Sequence, residues 1–529
     1  MTRYVKCFRD FSGGLAEAAG DDMADNQLQQ ARNAVPLHHA GLRRTGLRRA
    51  DGTEQAFPPL PGLPGQRAYA MLELTLADGS EQLLAFSEYD VRRENLYRYD
   101  AGTESWTALL SDQRPHLDHF IRAHRLYWLT GLSIRVYDGE SVGYAAPTPA
   151  GDSLTAAEAA VWNKVVRAVA VAQRGRRWFY ATPDNEVIFS EVGDPFRFDP
   201  TNIINVEPGG NDRVTALREF CGGLLIFLSD SVYFLSGWDL EDGSDLTLSR
   251  LNVTSGTVWP RTVQAAENAV FYLGRDGVYR LRLPAGGAVL AADNISDGRL
   301  SRGLLEEGRL FGAFAAVWNN IYHISLLSGA GPPREYRYYP RLDAFFGPYD
   351  HGARSYSRLS GNRLLLGLEG GRLACFDPES RRYLLEDGSY GPIRFEVTTK
   401  GFDVAGALAR NVKIKSVLLA ARQYKEEGSH AAVRIKTDYT DGAGRLELIS
   451  WDESLVYGEG SYGEAIWGWK DTVTKELPVN RLAQRLTLYF SDSSAGEPLV
   501  LYGAAVLYKA RKVRAERGGV RRLTVDHED

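Results

Sequence analysis

LLIFLSDSVYFLSG, residues Leu224 to Gly237, is two strand-like runs joined over Ser229-Asp230-Ser231. Large apolar residues alternate along the first run, a polar turn follows, and Val232-Tyr233-Phe234-Leu235 returns. Branched and aromatic residues suit a pleated surface, and Ser and Asp side chains bond readily to turn backbone. The stretch predicts a β-hairpin. A single hairpin is ordinary, and its recurrence is what sets the fold.

The pattern returns in both directions. VFYLGRDGVYRLRL (Val270–Leu283) turns at Arg-Asp-Gly, a combination suited to positive φ in a tight hairpin. Upstream lie runs starting at Leu83 (LLAFSEYDVRRENLYRYDAGTESW), Arg125 (RLYWLTGLSIRVYDGE) and Arg176 (RRWFYATPDNEVIFSEVGDP). Downstream lie runs starting at Ile321 (IYHISLLSGAGPPREYRYYPRLDAFF) and Arg363 (RLLLGLEGGRLACFDPES). The second strands recur at roughly 40 to 60 residues, the interval of a β-propeller blade. Two successive β-sandwiches would also give short strands and frequent turns, but repetition at this period favours the propeller. Known propeller signatures do not recur from repeat to repeat: Trp-Asp stands only at Trp238-Asp239 and Trp451-Asp452, no kelch double glycine keeps a fixed offset, and no Ser-x-Asp-x-Gly-x-x-Trp box occurs.

One segment breaks the rhythm. LTAAEAAVWNKV (Leu154–Val165) is rich in helix formers and follows the Pro/Gly stretch APTPAGDS, which predicts a short helix between blades. After residue 390 six alternating stretches run from Ile393 to Lys512, a pattern expected of an antiparallel β-sandwich. The expected fold is therefore all-β: a seven-bladed-type propeller followed by a sandwich. The expected layout is an N-terminal arm over 1–60, the propeller over 61–390, the sandwich over 391–513 and an exposed tail over 514–529. Residues of about 30 to 50 are candidates for a strand that latches the last blade.

Composition narrows the function classes. The chain has 529 residues, 44% hydrophobic and 24% charged, as in soluble globular proteins of two or three domains. A net charge of −5 argues against a chain that grips nucleic acid, whose footprint is basic, yet permits one past which nucleic acid slides. Cys7, Cys221 and Cys375 are far apart and form no CxxC, so buried thiols in a reducing compartment are expected. No run approaches the roughly 20 apolar residues of a bilayer span, and the start lacks a secretory apolar region.

The search for chemistry yields no catalytic, cofactor-binding or metal-binding constellation. Phosphate-loop and HExxH motifs do not occur. Gly458, Gly460 and Gly463 make a GxGxxG, but Trp-Gly-Trp follows where a dinucleotide site needs a helix, so a glycine-and-aromatic loop is expected. Asp239, Glu241, Asp242 and Asp245 cluster around Gly243, out of register for a calcium loop, and read as a solvated turn. His38 and His39 have no second cluster with ligand spacing. Asp21/Asp22 and Glu426/Glu427 are sequence neighbours without the cross-cleft placement a glycosidase needs. The basic run Lys509, Arg511, Lys512, Arg514, Arg517, Arg521 and Arg522, and the patch LRRTGLRRA (Leu42–Ala50), read as solvated or subunit-contacting surfaces.

Three segments carry a resemblance. The first holds Gly13-Gly14-Leu15, Asp25-Asn26-x-Leu28, Arg32-Asn33 and Gly41-Leu42-Arg43-Arg44-Thr45-Gly46. The second runs from Ile188 to Gly237 and the third, TSGTVWPRTVQAAENAVFYLGRDGVYRL, from Thr254 to Leu281. Their layout resembles the β-propeller tail proteins of bacteriophages related to the tail nozzle, or tail tubular protein B, of short-tailed phages. FEVTTKGFDVAGALARNVKIKSV (Phe395–Val417) resembles the domain that follows the propeller in that family. The resemblance implies a virion structural protein, a homohexameric ring that continues the DNA ejection conduit below the adaptor. It implies location in the virion tail after assembly in the host cytoplasm, and brings no active-site residue.

The expected partners are further copies of the chain, the tail adaptor or neighbouring tail proteins, and DNA passing without tight binding. No cofactor, metal or membrane span is expected. An acidic conduit wall would limit friction, because each phosphate contact adds affinity. The competing reading is a receptor- or carbohydrate-binding propeller, with Trp451, Trp467 and Trp469 as a candidate stacking platform. A glycan-cleaving propeller is the third.

Overall fold

The computed structural model describes residues 4–17, 23–37, 47–49, 51–61, 67–90, 93–237, 245–284, 290–300, 310–328, 332–404, 412–422, 430–438, 445–450, 472–493 and 499–510. These form an almost wholly β structure with one α-helix. Six sheets have four strands, and a further antiparallel set of four lies inside an 11-stranded sheet. In chain order these seven sets start at Arg67, Asp118, Ala170, Val214, Gln264, Leu310 and Ser355, and are called sheets one to seven.

Leu224–Gly237 forms the middle of sheet four. Gly223–Leu228 and Val232–Ser236 pair in the register Leu224↔Leu235, Leu225↔Phe234, Ile226↔Tyr233 and Phe227↔Val232. Val214–Phe220 flanks them on one side and Thr247–Arg250 on the other. The other six hairpins read from sequence likewise supply the two middle strands of their sheets.

Every residue from Leu224 to Leu228 is buried, which a sheet with one wet face could not achieve. Leu224, Ile226 and Leu228 pack on Phe179, Val187 and Phe189 of sheet three. Leu225 and Phe227 point the other way, onto Val270, Tyr272 and Tyr279 of sheet five. Period-two alternation thus distributes apolar residues between two neighbours rather than between core and solvent. Each such side chain contributes about 1.5–3 kcal/mol on burial.

The same packing links successive sheets. Leu84, Phe86 and Leu96 of sheet one meet Leu126, Trp128 and Tyr137 of sheet two. Tyr127, Leu129 and Ile134 of sheet two meet Trp178, Tyr180 and Ile188 of sheet three. Phe271 and Leu273 of sheet five meet Tyr322 and Ile324 of sheet six. Ala316 and Trp318 of sheet six meet Leu364, Leu366 and Phe376 of sheet seven. Finally Leu359, Leu365 and Leu373 of sheet seven meet Ala68, Met71 and Tyr97 of sheet one. Two hydrogen bonds reinforce that last junction, from Ser355 Oγ to Ala68 O at 2.6 Å and from Met71 N to Ser357 Oγ at 2.9 Å.

The outer strand of sheet seven comes from the other end of the chain. Gly52–Phe57 pairs antiparallel with Leu373–Asp377, with Glu54 opposite Cys375. This lies just past the window of about 30 to 50 suggested by the sequence. Within that window, Ala34–Pro36 and Leu47–Arg49 pair with each other, and Leu47 pairs with Leu501. The backbone of Leu47–Arg49, part of the basic patch, is therefore built into a sheet.

The helix α1 spans Ala156–Val165, between sheets two and three. Thr155 caps it: its Oγ1 accepts from Glu158 N at 3.2 Å, and Thr155 N donates to Glu158 Oε2 at 2.8 Å. Val161 and Val165 anchor the helix against Trp178 and Tyr180.

The C-terminal strands fall into two sheets. Val412–Arg422 lies between Thr472–Ala483 and Leu501–Ala510, and Leu501–Ala510 also takes Tyr4–Phe8. The second sheet runs Gln27–Arg32, Phe395–Thr399, Arg485–Asp492, His430–Thr437, Arg445–Ser450. Val417, Leu419 and Val506 from one share a core with Val397, Leu488 and Phe490 from the other. Phe8 stacks on Phe402 with ring centroids 3.5 Å apart.

The structure differs from the sequence reading at several places. Thr472–Ala483, TVTKELPVNRLA, is a 12-residue strand that its proline and charged residues disguise. Cys7 and Cys221 are exposed and Cys375 half-buried, rather than buried, because Cys7 sits on the outward face of its strand and Cys221 in a turn at φ 51°. Gly277 does not take positive φ; a Cβ there would lie 2.5 Å from Asn294 Oδ1 and Ser296 Oγ, so space is what requires glycine.

Candidate functional site: a cavity lined by the first strand of every sheet

The inner strands of all seven sheets converge on one cavity of about 630 Å³. Its wall draws on Met71, Phe120, Ala172, Thr215, Ala265, Phe314 and Ser357, one or more residues from each first strand. This volume is that of a small-molecule pocket, typically about 300–1,000 Å³.

PHLDHF, residues Pro115 to Phe120, brings three titratable side chains to the wall. His116 stacks on Phe86 at 4.4 Å, and its Nε2 lies 2.9 Å from His119 Nδ1. Burial pushes the His116 imidazole well below its ordinary value and lowers that of His119, despite the Asp118 charge. The pair is therefore neutral at pH 7, one ring donating to the other. Asp118 accepts from His119 N at Oδ1 and from Val171 N at Oδ2, each at 2.9 Å, the second bond linking sheets two and three. Burial raises its pKa, while His119, these backbone donors and Arg218 oppose the rise.

Arg218 and Arg261 complete the cluster. Arg218 Nη2 donates to Val263 O at 2.8 Å, and Arg261 Nη2 donates to His116 O at 3.0 Å. The Arg261 guanidinium lies 4.1 Å from the Tyr69 ring centroid and 5.5 Å from that of Phe314. Burial lowers the pKa of both arginines, and Asp118 acts against it. Beside the cavity, Glu94 is fully buried, and burial pushes its carboxyl up to about 8. Gln113 Nε2 donates to its Oε1 at 3.3 Å, and its Oε2 has no partner.

A second ionisable cluster joins sheets six and seven to the N-terminal segment. Glu335 accepts from Arg337 Nε at 2.5 Å and faces His323 Nδ1 at 3.1 Å; Tyr356 OH and His351 Nε2 lie against its other oxygen. Arg337 Nη1 reaches Asp51 Oδ2 at 2.8 Å, one residue before the strand that completes sheet seven. Burial would raise the Glu335 pKa, but His351, Arg337 and His323 overcome it and hold the carboxyl well below the usual range. Packing leaves this cluster little room for a ligand, and it acts as a clamp.

Sequence reasoning missed both clusters. The signal for the first was His116, Asp118 and His119 within four positions at the start of a strand; the arginines arrive from distant segments. Gly458, Gly460, Gly463, Trp451, Trp467, Trp469, His38, His39, Asp21, Asp22, Glu426 and Glu427 lie outside the described residues, as do Asp239, Glu241, Asp242 and the basic residues from Arg511 onward. Among the described residues no group of three or more His, Cys, Asp or Glu is placed to hold a metal ion, and no helix is long and apolar enough to cross a membrane.

No family model matches the chain, and no curated protein matches it. Among solved structures it is similar to the extracellular domain of a hybrid two-component system from B. thetaiotaomicron, at 11% identity and a TM-score of 0.38, over 75% of this chain and 47% of that one. The chain thus spans about half of that structure's length. It is also similar to BamB from Moraxella catarrhalis (13% identity, TM-score 0.36, 66% of this chain, 97% of that one). A computationally designed protein matches at 12% identity and a TM-score of 0.33, over 61% of this chain and 100% of that one.

Proposed function

We propose that the seven sheets are blades of a closed seven-bladed β-propeller carrying a C-terminal β-sandwich, and that the chain is a virion structural protein of a phage tail, not an enzyme. In this reading it is the nozzle or a distal tail-tube component, assembled as a cyclic homohexamer. The observation that carries the reading is how the chain's ends are tied. Tyr4–Phe8, Gln27–Arg32 and Leu47–Arg49 enter the C-terminal sheets, and Gly52–Phe57 completes sheet seven. Most of this N-terminal segment is the part that resembles nozzle proteins.

Such ties suit a part that bears load. Pulling on Tyr4–Phe8 or Leu501–Ala510 works against antiparallel ladders, and pulling on Asp51 against the Arg337–Glu335 clamp. The cavity has the volume of a small-molecule pocket, about 630 Å³, and is not the proposed conduit. DNA therefore passes through a channel shared between copies, which a closed cyclic arrangement provides.

Size-exclusion chromatography with light scattering, alone and with a tail adaptor, tests the reading. A six-copy particle, formed alone or on the adaptor, is expected. A monomer under both conditions contradicts it.

A further inference from the structure

We infer that the cavity enclosed by the seven inner strands is a binding site for a small organic anion, whose carboxylate is received by Arg218 and Arg261. The inference stands on the cavity alone and is independent of the tail reading. Four observations support it.

First, both arginines line the cavity, and the hydrogen bonds shown for them among the described residues go to backbone carbonyls, not to carboxylates. Both side chains are half-buried, so each keeps access to the cavity. Second, donor capacity is left over. Arg218 Nε is buried without a partner, while single backbone carbonyls fix Arg218 Nη2 and Arg261 Nη2 in place. A guanidinium so anchored presents its remaining fork to a planar oxyanion.

Third, no acid pairs directly with either guanidinium among the described residues, although Asp118 acts on both, Glu88 acts on Arg261 and Glu219 also lines the cavity. Asp118 is occupied by two backbone donors, and Glu94 keeps its proton at neutral pH. Fourth, the wall suits an organic body. Tyr69, Phe120, Phe314 and Tyr356 offer ring faces or edges, and Thr215 and Ser357 offer hydroxyls. The combination describes a carboxylated solute of monosaccharide size, such as a uronic acid.

Isothermal titration calorimetry of the full chain with sodium glucuronate, glucose and inorganic phosphate tests this. Glucuronate is expected to bind, glucose and phosphate to bind at least about tenfold more weakly, and Arg218→Gln to lose about tenfold or more in glucuronate affinity. Arg261→Lys, which keeps the charge but not the fork, is expected to weaken binding as well. Circular dichroism melts confirm that each variant is folded. No heat with glucuronate up to about 10 mM in the folded wild type overturns the inference. So does undiminished binding by Arg218→Gln, or phosphate binding as tight as glucuronate.

Discussion

Glu94 shows how one side chain makes the fold pH-sensitive. The folded chain keeps its proton up to about pH 8, whereas an unfolded glutamate releases it near 4.5. Between those values the folded state holds more protons, so this residue's contribution to stability falls as pH rises. Glu94→Gln removes the effect: the variant is expected to match wild type near pH 5 and exceed it by about 3 kcal/mol near pH 8. Urea unfolding at both pH values checks this, and parallel losses in the two proteins would refute it. Gly256 is a second case, in the segment TSGTVWPR. A Cβ there would lie 2.0 Å from Leu228 O and 2.7 Å from Ser231 N, both backbone atoms of the Leu224–Gly237 hairpin and its turn. Thr257 N donates to the same Leu228 oxygen at 2.7 Å. Gly256→Ala is expected to cost about 2 kcal/mol or more, read as a lower melting temperature with the fold retained.

Elements show what the sequence could and could not reveal. The hairpins were legible because each holds its own turn chemistry and apolar runs within about 20 residues. The helix was legible through Ala, Glu and Lys, and its cap lies at Thr155. The outer strands were not: Thr247–Arg250 (TLSR) and Ile203–Asn205 are short and half-wet, and pairing alone defines them. The cavity cluster escaped because Arg261 meets His116, and Arg218 meets Asp118 and His119, only after distant segments are in place. The Glu335 clamp escaped likewise, since Asp51 and Arg337 are 286 residues apart. Glu335 is held below its ordinary value of 4.5, so its stabilisation is present above that pH and lost as pH falls below it. Glu335→Gln is expected to cost about 3–5 kcal/mol at pH 7, with a shallower further loss on acidification than wild type. Thermal melts between neutral pH and about pH 3 provide the check.

At the scale of the molecule, closure depends on a strand from one end of the chain completing a sheet built near the other. Glu54 faces Cys375 across that junction, and the cysteine is free. Glu54→Cys is expected to form a disulfide with Cys375 on mild oxidation and to raise stability by about 2–4 kcal/mol, reversed by reductant. Peptide mapping and paired melts read the outcome; a pair that stays reduced in the folded protein would show that the two strands do not meet. The proposed role asks several copies of this chain to surround a channel.

Electron cryomicroscopy of the purified full-length protein, alone and bound to a tail adaptor, tests that role most directly. The account predicts closed six-fold rings in which the opening wide enough for duplex DNA lies between subunits, with the axial cavity of each propeller off that path. Isolated single wheels under both conditions, or rings whose subunits leave no common channel, would contradict it.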